Sequence, residues 1–493
     1  MEELILGIDL GTTNTVCYSF KNSLEVLKFR GKELLPSVLY YKDGKLVVGS
    51  NAKKKATQYP KNVIMSSKTF IGDDKKVWSI QDEEFTPTDV AKHILYEVVR
   101  EAKKKDNVDK CKAVITVPEY FTSRQYKETR EAAESAGIEV IELLSEPIAA
   151  SIAYSMNEEK NKNIFVIDVG GGTFDVSILK IENNKFTTLS TGGNRKLGGD
   201  NFDQVIVNEC MKKIRKENGI NLSSLEKSGL DEIIYYQVMT KLLFECEKAK
   251  IELSSLEETD IIIPSLIPVN GDSINFNIHI TRDEFDEKSE NLLDEIELTI
   301  RTCLYEAKYE AEDIDKVIMV GGSSNIVAVN DVVKDIFNKN TYSDKDFSKL
   351  VAKGAAIKAA IESGYASTFV RDGEAPIIQD ILSSSFGIAL ANKKYSIILE
   401  KGTEYPCESS RIYTTIKDFQ ECVKVQIYEG EDTENLENDN YYGSYEHRNI
   451  ERALEGEPSI KVTFSFDKNK ILNVSSVDLN TYSKVDDFSI DVK

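Results

Sequence analysis

Histidine is scarce in this 493-residue chain. His93, His279 and His447 lie far apart, which leaves no zinc-type cluster and no support for Ser-His-Asp hydrolysis. Cysteine is sparse and dispersed. Cys17, Cys111, Cys210, Cys246, Cys303, Cys407 and Cys422 form no Cys-x-x-Cys pair. An odd, scattered set fits reduced thiols in the cytoplasm better than a disulfide framework. No apolar run reaches membrane-spanning length, so no membrane partner is expected. The chain opens almost directly on its first strand, and the expectation is that no signal peptide precedes it. Basic residues are the minority, 62 against 83 acids, for a net charge of −21. That balance is a poor fit to nucleic-acid binding and serves solubility. Two nucleotide signatures are also missing. No Gly-x-x-x-x-Gly-Lys-Ser/Thr loop occurs, which excludes a P-loop enzyme. No Gly-x-Gly-x-x-Gly follows a strand, which argues against a dinucleotide enzyme.

What is present is a motif in duplicate. Gly7-Ile8-Asp9-Leu10-Gly11-Thr12-Thr13-Asn14 and Val166-Ile167-Asp168-Val169-Gly170-Gly171-Gly172-Thr173-Phe174-Asp175 each end an apolar run in Asp-x-Gly. Each reads as a buried strand, a tight turn and a second strand, 15–20 and 174–179. Glycine lets backbone N–H groups approach an anion, and Asp supplies a hard oxygen for a divalent cation, directly or through water. A single copy would be an ordinary hairpin. Two facing copies could grip a nucleotide triphosphate and Mg²⁺ from both sides.

Length alone suggests roughly three domains. Residues 1–370 alternate strand-like and helix-like segments, an α/β pattern. Ala113–Val117 is a strand closed by Pro118. Ser123–Ala136 is a helix with Ser123 as N-cap and Gly137 past its end. Val140–Leu144 is a strand, and Pro147 opens a helix. A long helix spans 230–253, with Ile233, Ile234, Val238, Leu242, Cys246 and Ala249 at helical spacing. Val317–Val320 is a buried strand. The character changes at the polar turn Arg371–Ala375, followed by the apolar Pro376–Leu382. Beyond it, Val423, Val425 and Ile427, then Ile460, Val462, Phe464 and Phe466, then Leu472 and Val474, and finally Phe488, Ile490 and Val492 show period-two patterning. With turns such as Asp467–Lys470, this predicts an antiparallel sandwich with one wet face. The acidic Glu429–Asn440 reads as a mobile loop.

The ordered set of motifs carries a family. Asp9-Leu-Gly-Thr-Thr-Asn14, Val117-Pro118, Ser145-Glu146-Pro147, Asp168-Val-Gly-Gly-Gly-Thr-Phe-Asp175, Leu197-Gly-Gly-Asp-Asn-Phe-Asp203, Glu247-Lys-Ala-Lys-Ile-Glu-Leu-Ser254 and Val320-Gly-Gly322 occur in sequence. Together they resemble the 70-kDa heat-shock (DnaK-like) chaperone family across residues 4–493. Actin-like ATPases and sugar kinases share only the Asp-x-Gly hairpins. The resemblance implies a multidomain α/β plus β chain. An actin-like (ribonuclease H-like) two-lobed ATPase domain would occupy 1–375, an interdomain linker 376–382, and an antiparallel β-sandwich that binds peptide 383–493.

The family's roles map residue by residue. Asp9 and Asp168 would hold Mg²⁺ through water. Gly11, Thr12, Thr13, Asn14, Gly170, Gly171, Gly172 and Thr173 would cradle phosphates, with Gly198 and Gly199 in the same nucleotide-binding set. Lys68, Glu146, Asp175 and Thr173 would be catalytic, acting by positioning and charge neutralisation. Alone, Lys68 would read as a solvated charge and Glu146 as a helix-start acid. Glu247, Lys250 and Ser254 share a helix face and would contact adenosine, while Gly321, Gly322 and Ser323 would close the pocket. Pro118 and Asp380 would relay the signal to the second domain. ATP or ADP with Mg²⁺ are the implied cofactors, with K⁺ a further candidate. Unfolded or extended polypeptides, a J-domain co-chaperone and a nucleotide-exchange factor are the implied partners.

Several positions depart from the family pattern. About two dozen residues are missing between Gly72 and Pro87. Asn325 replaces an adenine-stacking Arg, Tyr126 an Arg of the Pro118 relay, and Glu142 an Arg that greets the J-domain. Gln379 interrupts the linker's apolar triplet, and Ala391 stands where a large residue often arches over peptide. No helical lid follows the sandwich, which implies fast peptide exchange. These departures motivate a second reading, a nucleotide-binding regulatory module with weak ATPase and one specific partner. A filament-forming actin-like protein or a sugar kinase is a third, which the linker and sandwich disfavour.

Overall fold

The computed structural model describes residues 3–488, apart from 107, 156–161, 183–184, 270, 340, 342–346, 366–368, 370–376, 468–470 and 483. The turn at 371–375, Pro376, most of the turn at 467–470, Ile490 and Val492 therefore lie outside the described residues. The chain divides into two compact units. The first holds 1–120, 128–184 and 191–376, and the second 121–127, 185–190 and 377–493.

The first unit is α/β. Its strand Glu3–Leu10 runs parallel to Lys110–Val117 and antiparallel to Asn14–Phe20, and Lys110–Val117 continues in parallel to Ile138–Ser145. A second sheet repeats the plan. Lys162–Val169 is parallel to Lys316–Val320 and antiparallel to Phe174–Glu182. Each Asp-x-Gly turn thus follows a strand flanked on both sides. Apolar runs 4–10 and 164–169 are almost wholly buried, as a strand covered on both faces requires. Helix Pro87–Asp106 covers the first sheet with Val90, Ala91, Ile94, Leu95, Val98, Val99 and Ala102, one stripe at 3.6-residue spacing. Each large side chain in that stripe contributes about 1.5–3 kcal/mol by burial.

One sequence expectation needs correction here. The long helix is Glu232–Leu253, capped by Asp231, whose carboxylate accepts the Ile233 N–H at 2.9 Å. Val238, Leu242, Cys246 and Ala249 are buried, but Ile233 is 55% exposed, because the first turn extends past the packed face. The gap between Gly72 and Pro87 holds a small hairpin, Trp78–Ile80 with Glu83–Phe85.

The second unit is mostly antiparallel β. One sheet orders Tyr395–Leu399, Phe386–Ala389, Cys422–Glu429 and Asn440–Arg448. The other orders Cys407–Tyr413, Ile460–Phe466, Leu472–Asp478 and Lys484–Phe488. Phe386, Ile388, Val425 and Ile427 from the first meet Val462, Phe464, Phe466 and Val474 from the second in one core. The period-two pattern thus sorts inner from outer residues, with Val423 only half-buried.

Three further corrections belong to this unit. The helix over 123–135 is capped by Thr122 rather than Ser123. Thr122 Oγ1 accepts the Gln125 N–H at 3.2 Å, and Gln125 Oε1 accepts the Thr122 N–H at 2.9 Å, a reciprocal capping box. The acidic segment 429–440 is tied down rather than loose. Glu431 accepts from the Ser385 N–H at 2.7 Å and its hydroxyl at 2.8 Å, and Asp432 accepts the N–H groups of Glu434 and Asn435. The segment 376–382 is not uniformly exposed. Ile377 is 60% exposed, but Ile381 and Leu382 are buried. Ile377–Gln379 forms a short strand parallel to 185–187. Asp380 is buried, accepting from the Tyr405 hydroxyl at 2.7 Å and the Ile381 N–H at 2.9 Å.

Candidate nucleotide site

Both Asp-x-Gly turns open onto one cavity of about 380 Å³ in the first unit. Asp9, Gly11, Thr12, Thr13, Asn14, Lys68, Glu146, Asp168, Gly170, Gly171, Thr173, Glu247, Lys250, Gly321, Gly322 and Ser323 line it. The two turns touch. A Cβ on Gly171 would lie 2.0 Å from Thr13 Oγ1, so only glycine permits this approach. Gly321 has φ +82°, a left-handed backbone that places the Val320 strand end against Asp168.

The remaining residues of the expected set stand behind the wall. Gly170 O accepts the Gly199 N–H at 2.9 Å, and Gly171 O accepts the Asp200 N–H at 2.7 Å, so 198–200 buttresses the second turn. Gly172 faces the Thr69 methyl group, and a Cβ there would come within 2.6 Å of it. Gly198 would likewise crowd Gly171 O. Asp175 is buried one strand position beyond the turn. Ser254 does not reach the cavity. It ends its own helix, its hydroxyl donating to Lys250 O at 3.4 Å. Pro118 is buried past the end of Lys110–Val117, away from the lining, and Asp380 belongs to the second unit.

Buried charge dominates the site. Lys68 is buried, not solvated, and its Nζ donates to Glu146 Oε1 at 2.8 Å. Lys68 sits on the short 3-10 turn Ser67–Phe70, and Glu146 opens the helix Glu146–Ser155. Burial works against the Lys68 charge, but Glu146, Asp9 and Asp168 outweigh it and hold its pKa above the ordinary value. The carboxylates carry the opposite stress. Burial, reinforced by Glu146, pushes Asp9 up to about 7, with Lys68 and the Thr116 hydroxyl opposing. Burial pushes Asp175 up to about 8, again reinforced by Glu146 and then Glu119. Asp168 is raised well above its usual range by burial and by Glu146, Asp175 and Asp9.

Four clustered carboxylates facing one ammonium leave a surplus of negative charge. Asp175 Oδ2 is buried with no hydrogen-bond partner. That donor set fits a hard divalent cation. Among the described residues no three His, Cys, Asp or Glu side chains converge on a direct metal site.

Three polar residues of the site carry no assignment from the sequence alone. Asp203 pairs with Lys250 at 2.9 Å, while Lys250 Nζ also donates to Gly199 O at 3.0 Å. Asp200 accepts from the Ser66 hydroxyl at 2.9 Å. Both Asp residues fall inside the Leu197–Asp203 motif, so that signal was available. Lys53 pairs with Glu247 at 2.7 Å, a long-range contact no motif announces. Among the departures, Asn325 lines the cavity and donates to Gly322 O at 2.9 Å. Glu142 pairs with buried Lys358 at 3.4 Å, and Tyr126 is buried.

Two comparisons show the family. The family model described as Hsp70 protein matches residues 5–491. The chain is 35% identical over 486 residues to the Chaperone protein DnaK of Thermotoga neapolitana, covering 97% of this chain and 79% of that protein. With its duplicated Asp-x-Gly turns, buried Lys–Glu pair and trailing antiparallel unit, the chain belongs to the Hsp70 family of ATP-dependent chaperones, and it is an ATPase of that type.

Proposed function

We propose that ATP binds in the cavity between the two hairpins and that its slow hydrolysis switches the grip of the β-rich unit on extended peptide. The single observation that carries this is the meeting of both Asp-x-Gly turns around the buried Lys68–Glu146 pair. In this reading the actin-like, two-lobed ATPase domain is 1–375, the linker 376–382 and the peptide-binding sandwich 383–493.

The residues act by placement. Thr12, Thr13 and 170–173 hold the β- and γ-phosphates through N–H and hydroxyl donors. Lys68 places its ammonium on the γ-phosphate and the attacking water, and Glu146 and Asp175 orient that water. Asp9 and Asp168 are the residues that would hold Mg²⁺, which when bound would supply charge neutralisation to the phosphates. Preorganised charge of this kind accounts for about 10²–10³ in rate per group. Lys250 and Glu247 border the adenosine side. K⁺ could share the surplus negative charge.

The second unit contains a cavity of about 850 Å³ walled by Ile388, Leu390, Ala391, Ile412, Val423 and Val425. It suits an extended apolar segment whose backbone is hydrogen-bonded along the cleft. Unfolded clients in the cytoplasm, a J-domain co-chaperone and an exchange factor complete the reading. Pro118 and Asp380 are its relay residues.

The test is single-turnover ATP hydrolysis by wild type and Lys68→Ala, where equal rates would remove the catalytic assignment. The second reading, a module with one specific partner, draws on Asn325 and on Glu142, already paired with Lys358. A peptide array separates the two, since broad apolar binding favours the chaperone and one tight ligand favours the module.

A further inference from the structure

The short hairpin between Gly72 and Pro87 carries the one tryptophan of the chain, Trp78. Trp78 meets the edge of Phe70, with ring centroids 5.8 Å apart and planes at 84°. Lys76 Nζ lies over both rings, 4.6 Å from the Phe70 centroid and 4.7 Å from that of Trp78. Trp78 is itself packed against the core of the first unit. Phe70 is the last residue of the 3-10 turn that carries Lys68, two positions earlier.

That turn needs outside support. Ser66, just before it, has a left-handed backbone with φ +50°, which a serine adopts at a cost. The turn is four residues long. Thr69 Oγ1 donates to Ser66 O at 2.7 Å, the Ile71 N–H to Lys68 O at 3.2 Å and the Asp73 N–H to Phe70 O at 3.0 Å, while the Gly72 N–H just beyond donates to Glu128 Oε2 at 2.9 Å. On the hairpin side, the aromatic pair and its ammonium bind it to the core.

The geometry points to Trp78, with Phe70 and Lys76, as a positioning clamp for the catalytic lysine. Aromatic pairs and cation–π contacts are directional, so they fix where the turn lies as well as stabilising it. Nζ of Lys68 must stay near Glu146 and the γ-phosphate. A displacement of about 1 Å at such a group lowers rates by up to about 10²-fold.

The inference rests on the catalytic reading of Lys68, and a double-mutant cycle separates the two. Single-turnover hydrolysis of Mg·ATP by the full chain is measured for wild type, Trp78→Ala, Lys68→Ala and the double variant. Trp78→Ala is expected to slow hydrolysis about tenfold. ADP affinity should stay within about twofold of wild type, Trp78→Phe should restore the rate, and Trp78→Ala should add nothing to Lys68→Ala. Phe70→Leu, which removes the same contact from the other side, should slow hydrolysis as well. It decides the matter if Trp78→Ala does not fold. A wild-type rate in the clamp variants, or a slowing that multiplies with Lys68→Ala, overturns the clamp while Lys68 stands. A wild-type rate in Lys68→Ala alone overturns the catalytic reading itself.

Discussion

The nucleotide cavity and the sandwich cavity are incomplete in opposite ways. The first is small, about 380 Å³, and crowded with buried carboxylates whose pKa values are raised, by burial first and by the neighbouring Glu146 next. The second is larger, about 850 Å³, and walled mainly by aliphatic side chains. One lacks positive charge, and the other lacks apolar partners. A phosphate ligand with its cation satisfies the first but offers nothing to the second. An extended apolar peptide does the reverse. The contrast teaches that the two ligands cannot compete for one site, so any influence of one on the other must travel through the protein.

Lys68→Ala should slow single-turnover hydrolysis about 10²–10³-fold and leave peptide affinity in the nucleotide-free protein unchanged. Val423→Asp should act in mirror image. A carboxylate in the aliphatic wall should weaken binding of an apolar peptide by about ten- to a hundredfold, as fluorescence anisotropy would read. Basal hydrolysis should stay at the wild-type rate. Asn325→Arg should tighten ATP binding by about 0.5–2 kcal/mol by restoring a planar cation beside the base, measurable by calorimetry. No tightening would mean that Asn325 does not face the adenine.

The smallest effect concerns pH and the second unit only. His447 is buried, its Nδ1 2.8 Å from Ser476 Oγ, and burial holds its pKa below the ordinary value of 6.5 despite nearby Asp478. A histidine with a depressed folded pKa contributes stability above its unfolded pKa, and that contribution is lost as pH falls through the folded value. The melting temperature of the β-rich unit should therefore decline on acidification below about 6.5 and less so in His447→Gln. An identical decline in both would assign the acid sensitivity to other groups.

What the sequence reveals follows the same divide. The nucleotide site is legible because its central pieces are contiguous. Asp9 and Gly11, or Asp168 and Gly170, sit two residues apart, so one strand end supplies both a carboxylate and a turn. The sandwich is legible as a pattern, because alternate residues share a face. Contacts between distant segments are what escape. Nothing local links Lys53 to Glu247, Phe70 to Trp78 or Glu142 to Lys358, since the fold brings them together. Helical spacing places Ser254 on the face of Glu247 and Lys250 but does not fix how far along the helix the cavity extends. Thr122 and Ser123 offer the same cap in sequence, and only Gln125, three positions after Thr122, decides between them.

The central claim is that the charged cavity governs the apolar one. The direct measurement is the dissociation rate of a labelled apolar peptide from the full chain, with ATP and with ADP. The account predicts markedly faster release with ATP, and with Lys68→Ala the fast release should persist, because binding rather than hydrolysis opens the cleft. Equal release rates with the two nucleotides would contradict it.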